Sequence, residues 1–223
     1  MVHTKFFTFN PFQERCTVAW DDSLEGVVVD PGCMSSSEKD ALKRFISDNG
    51  LKIRYIMLTH AHFDHIFGLE EIALWLGVPV KMCERDIVII KEANPLLCKE
   101  FGLECPNISE RTKFEFVCEG DTIKAGELEF EVIETPGHTP GGLCFLERKE
   151  KLLLSGDTLF QGSIGRTDNK WADYDLMIEG IFRKLMILEP DIQVIPGHGP
   201  TTDIAYERMT NPFLMPFNEA YEE

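Results

Sequence analysis

Apolar and polar positions along this chain follow two alternating rhythms. Residues 35–50, SSSEKDALKRFISDNG, open with Ser and Glu start signals. They then carry Leu42, Phe45 and Ile46 at helical spacing and end on Asn-Gly, which predicts a helix. LKIRYIMLT (51–59) is a β-branched and apolar run and predicts a buried strand. GLEEIALWLG (68–77) predicts a helix closed by Gly77 and Pro79, VPVKMCE (78–84) a short strand, and ERDIVIIKEAN (84–94) a helix running up to Pro95. Residues 94–109 form a mixed excursion with no clear period.

From Phe114 the period changes to two. Residues 114–135 predict strands turning at Glu119-Gly120 and Ala125-Gly126. Residues 142–160 predict a hairpin whose turn is the charged ERKEK (147–151). A last helical stripe of Leu176, Ile181, Phe182, Leu185 and Leu188 precedes a strand and loop, DIQVIPGHG (191–199). Alternating blocks of strands and helices predict sheets covered by helices, in one domain over 1–223.

Composition narrows the function classes. A formal net charge of −16 repels polyanions, so neither nucleic acid nor an anionic membrane is an expected partner. No apolar run approaches the roughly 20 residues needed to span a bilayer, and the start MVHTKFFTFNPFQE has no signal-peptide pattern. The 7 cysteines make an odd number without a C-x-x-C pair, which predicts reduced, scattered, mostly buried thiols in a cytoplasmic protein.

The candidate chemistry lies where strands end. YIMLTHAHFDH, FEVIETPGH, LLLSGD and IQVIPGHG each place histidine or aspartate just past an apolar run, where a rigid sheet can hold a site. Of 6 histidines, 3 fall within THAHFDH. On such a segment His60 and His62 point the same way and can grip one ion, while Asp64 and His65 face a second ion beside it. Imidazole with carboxylate suits zinc, iron or manganese, whereas calcium wants oxygen alone. His138 in ETPGHTPGG, Asp157 in SGDTLF and His198 in PGHGP supply partners.

THAHFDH, TPGHTPGG, SGDTLF and PGHGP together resemble the ordered motif set of the metallo-β-lactamase-fold hydrolases over residues 27 to 200. The resemblance implies an α/β fold, an αββα sandwich of two central mixed sheets flanked by helices, with a dinuclear site at one edge. It implies His60, His62 and His138 on one ion, Asp64, His65 and His198 on the other, and Asp157 bridging. Asp30 in VVVDPG matches a position behind the ligands, where it would hydrogen-bond one of them. Two divalent ions, zinc first with iron or manganese as alternatives, would share a water and lower its pKa to give a hydroxide. Asp64 would orient that hydroxide or shuttle its proton, so Asp64 and Asp157 are the expected catalytic carboxylates.

Asp157 stands where zinc β-lactamases usually carry cysteine, and those enzymes are exported. GDTLFQGSIGRTD (156–168) is similar to glyoxalase II-type enzymes, which cleave the thioester S-D-lactoylglutathione. In them a cation at the place of Arg166 meets the glutathione carboxylates. The bland reading pairs Arg166 with Asp168. Only residues 201–223 follow the last motif, too short for the helical glutathione-binding domain of the long forms. The expected substrate is thus a small-molecule thioester. The alternatives are a mononuclear iron persulfide dioxygenase, using His60, His138 and Asp157, and another ester or lactone hydrolase of the same fold.

Overall fold

A computed structural model describes residues 1–215; the stretch 216–223 of the predicted domain lies outside the described residues. The first sheet has the strand order β1 (His3–Phe9), β2 (Glu14–Trp20), β3 (Glu25–Val29), β4 (Lys52–Met57), β5 (Val80–Met82), β6 (Phe114–Phe116). Its first three strands are antiparallel and the rest parallel. The second sheet joins β7 (Thr122–Ala125), β8 (Leu128–Glu134), β9 (Leu143–Glu147) and β10 (Leu152–Gly156) in an antiparallel run. Beyond β10 lie β13 (Gln193–Pro196), which pairs parallel, and β14 (Thr202–Asp203). A small ribbon, β11 (Leu159–Phe160) with β12 (Ser163–Ile164), follows β10.

The period-two rule sorts each strand between layers. On β3, Val28 enters an apolar cluster with Leu42, Ile46, Leu69 and Ile72, whereas Val27 and Val29 enter a different one. That second cluster lies between the sheets and joins Met57 to Phe130, Val132, Phe145, Leu154 and Ile195. The opposite faces of β8, β9 and β10 carry Ile133, Cys144, Leu146 and Leu153 to a third cluster with Met177, Ile178, Ile181 and Ile204. Three apolar layers between four structural layers make the αββα sandwich.

The helices of the first outer layer are α1 (Ser36–Asp48), the short α2 (Phe63–Ile66), α3 (Leu69–Leu76) and α4 (Asn94–Phe101). Those of the second are α5 (Tyr174–Gly180), extended by a π-helical turn over Ile181–Leu185, and α6 (Ile204–Thr210). Ser35 caps α1: its Oγ accepts from the Glu38 N–H at 3.3 Å while the Glu38 carboxylate accepts from the Ser35 N–H at 2.8 Å. Gly77 ends α3 at φ 70°, as its sequence position predicts. Among the described residues no helix is long and apolar enough to cross a membrane.

Two expectations change. Three strands, β1, β2 and β3, precede the first predicted element, and β6 joins the first sheet while β7 and β8 join the second, so the predicted turn at Glu119-Gly120 is a crossing between sheets. Pro95 does not stop the helix: residues 84–86 form a single 3₁₀ turn, Ile89–Ala93 a π-turn, and Pro95 sits in the first turn of α4. There its missing N–H removes only a donor that a helix start leaves unbonded. The cysteines are mostly buried, as expected, with Cys105 half-buried and Cys118 exposed.

Candidate metal centre

Five strand ends meet at one edge of the sandwich: β3 leads to Asp30, β4 to His60 and His62, β8 to His138, β10 to Asp157 and β13 to His198. Two of the connecting glycines permit the approach. A Cβ on Gly197 would lie 2.5 Å from Asp157 Oδ1, and one on Gly156, at φ 49°, would lie 2.2 Å from Thr59 Oγ1.

Hydrogen bonds fix which imidazole nitrogen faces inward. Carbonyl oxygens only accept, so His138 Nδ1–H donates to the Arg166 carbonyl at 2.9 Å and His198 Nδ1–H to the Phe12 carbonyl at 3.0 Å. Asp30 accepts the Thr59 N–H at 2.8 Å, the Thr59 O–H at 2.5 Å and His65 Nδ1–H at 3.1 Å. Thr59 Oγ1, having given its proton to Asp30, accepts from His60 Nδ1–H at 3.2 Å. The Nε2 atoms of His60, His65, His138 and His198 are thereby the nitrogens turned inward, each able to bind a metal when it carries no proton.

The donors gather in two groups. His60, His62 and His138 form one set whose ligand atoms lie within 4.8 Å of one another, and Asp64, His65 and His198 form another. Asp157 lies between the sets. Its Oδ2 is 3.6 Å from His138 Nε2, 3.9 Å from His60 Nε2 and 3.7 Å from His198 Nε2, and its Oδ1 is 3.5 Å from His65 Nε2. Asp30 also groups with His60 and His65, but its oxygens are occupied by Thr59 and His65, so it stands behind them.

The donor set fits a cation. His60 Nε2 and Asp157 Oδ1 are buried with no hydrogen-bond partner, and His65 Nε2 and His198 Nε2 face each other at 3.2 Å. Burial and neighbouring imidazoles hold His60 well below the usual histidine range and His62 at about 3, so both stay neutral. Burial opposes charge on His65 too, yet Asp157, Asp64 and Asp30 hold it well above that range. Asp157 stays ionised against burial because His65, His60 and His198 surround it. The carboxylates demand positive charge at this point, and a proton on His65 satisfies it only in part.

Asp86, which no local pattern marks, joins two ligand loops from below. It is 1% exposed; its Oδ2 accepts the Ala61 N–H and the Thr139 O–H, each at 2.9 Å, and its Oδ1 accepts the Gly141 N–H at 2.6 Å. Burial raises it to about 6 despite these bonds. Asp86→Asn keeps the shape but aims an NH₂ at the Ala61 N–H, stranding a buried donor at a cost of about 1–3 kcal/mol. Thermal unfolding of the variant should show that loss. Asn10 likewise braces the site, donating to the Gly32 and Asp64 carbonyls at 2.9 Å each.

Over the metal edge opens a cavity of about 430 Å³, reached by His62, Asp64, His138, Asp157 and His198. Arg166 stands at its rim, exposed, with Nε 2.7 Å and a terminal nitrogen 3.3 Å from the Asp168 carboxylate.

Comparison with known proteins agrees with this geometry. The chain is 37% identical over 204 residues to the hydroxyacylglutathione hydrolase GloC of Haemophilus influenzae, covering 91% of this chain and 93% of that one. The crystal structure of the BLEG-1 B3 metallo-β-lactamase matches with a TM-score of 0.86 at 32% identity, over 95% of this chain and 99% of that one. That of TTHA1623 in a di-iron-bound form matches with a TM-score of 0.82 at 34% identity, over 94% and 100%. A fold that brings two His/Asp groups to one sheet edge implies divalent metal ions. Residues 9–198 match the family model of the same architecture, and the chain belongs to the metallo-β-lactamase superfamily.

Proposed function

We propose that this chain is a cytoplasmic, dinuclear metal-dependent thioester hydrolase, acting on S-D-lactoylglutathione or a related acyl thiol. The observation that carries the reading is the pair of histidine-rich groups, each reaching Asp157, beneath a substrate-sized cavity. The likeness to a hydroxyacylglutathione hydrolase supports the substrate class. His60, His62 and His138 would hold one ion, Asp64, His65 and His198 the other, and Asp157 both. Two divalent ions, zinc foremost, supply an activated water at neutral pH and polarise a carbonyl oxygen. A di-iron relative keeps iron among the alternatives.

In the reaction the water oxygen joins the carbonyl carbon, the carbon–sulfur bond breaks, and a carboxylic acid and a thiol leave. Asp64 is held ionised against burial by His65 and His198, and its Oδ2 lies 3.3 Å from His198 Nε2, so it can accept the water's proton and pass it on. Asp30 keeps His65 turned inward. Arg166 at the rim offers a partner for an anionic carrier. Arg166→Ala should therefore raise KM for an anionic thioester by about two- to fivefold and leave a neutral one nearly unchanged, since exposed ion pairs are weak. Steady-state kinetics on matched substrates would show it; equal effects would assign Arg166 to Asp168 alone.

The test is release of thiol from S-D-lactoylglutathione by the metal-loaded protein, with a β-lactam and a glutathione persulfide run in parallel. Thiol release supports the reading. Oxygen uptake with the persulfide and no thioester cleavage would replace it with the dioxygenase.

A further inference from the structure

The cavity has two unlike ends. One is polar: the Arg166 carbonyl is bonded to His138, and the exposed Arg166 side chain and Asn169 line the cavity there. The other lies by His198, whose Nδ1–H is bonded to the Phe12 carbonyl and whose ring is 6.4 Å from that of Phe160. Phe12, Phe63, Leu97, Phe101, Phe160 and Ile164 supply the cavity's apolar lining, Phe63 and Phe101 being packed on Phe12. They come from separate parts of the fold: the β1–β2 turn, α2, α4 and the β11–β12 ribbon.

Three of the rings are packed edge to face or tilted against one another. Phe12 lies 5.0 Å from Phe63 and 5.3 Å from Phe101, and Phe63 lies 5.9 Å from Phe101. Such a cluster exists before any ligand arrives, so little ordering cost falls on binding. Among the described residues that line the cavity, Arg166 is the one guanidinium or ammonium, and Asp168 already engages it. A chain of net charge −16 adds no general attraction for an anionic ligand.

We infer that the aromatic wall selects the acyl half of the substrate, favouring thioesters whose acyl group is an apolar chain or ring over small hydroxyacyl groups. The inference rests on the thioesterase reading and names its substrate class. The orientation follows from exposure: Phe63 is buried and Phe12 and Phe160 half-buried, so a compact apolar group fits there, while a large polar thiol carrier extends past Arg166 into solvent. Area removed from water on the acyl chain then adds to binding with each methylene.

Two series on the holoenzyme test this. One is the affinity of straight-chain carboxylates from acetate to octanoate, by calorimetry. The other is kcat/KM for acyl thioesters of N-acetylcysteamine, with the lactoyl ester included. Both should rise by about two- to fourfold per methylene over the first several carbons, the upper figure being full burial of each group. Phe101→Ala should flatten the rise. Phe116→Ala should not, because Phe116 is equally exposed on β6 yet does not line the cavity. A flat affinity series, or a lactoyl ester hydrolysed best, would overturn the inference and leave the thioesterase reading standing. A rising affinity series with no thioester cleaved would remove the thioesterase reading and keep the apolar pocket.

Discussion

Asp157→Ala is expected to leave the purified protein with far less than its full metal content and to lower thioester turnover by about a thousandfold or more, as loss of several kcal/mol of charge stabilisation would do. The size of the effect follows from position. No other described carboxylate faces imidazoles of both groups at these distances: His60, His138 and His198 around Oδ2, and His65 beside Oδ1. Removing it leaves five converging imidazoles with Asp64 as the remaining carboxylate ligand. Asp157→Asn is a sharper variant, since it keeps the volume and one acceptor but not the charge. Metal analysis and turnover should fall together in both. Unchanged metal content in the alanine variant would count against Asp157 as a shared ligand.

Asp30→Ala should act on both metal affinity and stability. Three donors lose their acceptor at once: the Thr59 N–H, the Thr59 O–H and His65 Nδ1–H, all buried. Stranding two or three buried donors costs about 2–5 kcal/mol, and loss of the partner that orients a ligand histidine lowers metal affinity by about 10- to 100-fold. Asp30→Asn separates the two effects. Its amide oxygen can still accept the Thr59 N–H, but its NH₂ opposes His65 Nδ1–H, so stability should recover in part while affinity stays low. Chelator competition reports the affinity and thermal unfolding the stability. Equal recovery of both would mean that Asp30 serves the fold and not the site.

The contrast between Asp157 and Asp86 explains how much was legible in the sequence. Asp157, the histidines and Asp30 follow apolar runs, and their spacing alone sorted His60 and His62 from Asp64 and His65, the same two groups that the geometry shows. Nothing in the sequence singles out the glycines of SGD and PGHG, yet Gly156 and Gly197 are where Thr59 and Asp157 approach the backbone too closely for a Cβ. Asp86 left no local sign because its partners, Ala61, Thr139 and Gly141, come from distant segments. Glu14 is another such case, fully buried in β2 with burial holding its carboxyl well above the usual range. The first helix was legible because it buries Leu42 and Ile46 at helical spacing, and the hairpin at ERKEK because two apolar, fully buried strands flank a charged turn. The β1 strand was not: it is an edge strand with mixed exposure, and HTKFFTF shows no clean alternation. The apolar excursion 94–109 lacked a period because α4 faces two environments, with Cys98 buried in the structure and Leu97 lining the cavity.

The central claim is two metal ions serving one hydrolytic site, and stoichiometry with activity on one preparation tests it most directly. Elemental analysis of protein purified without added metal should give about two transition-metal equivalents per chain, and the same sample should cleave S-D-lactoylglutathione or a longer acyl thioester. A single iron per chain, with oxygen consumed on adding a persulfide and no thioester cleaved, would contradict it.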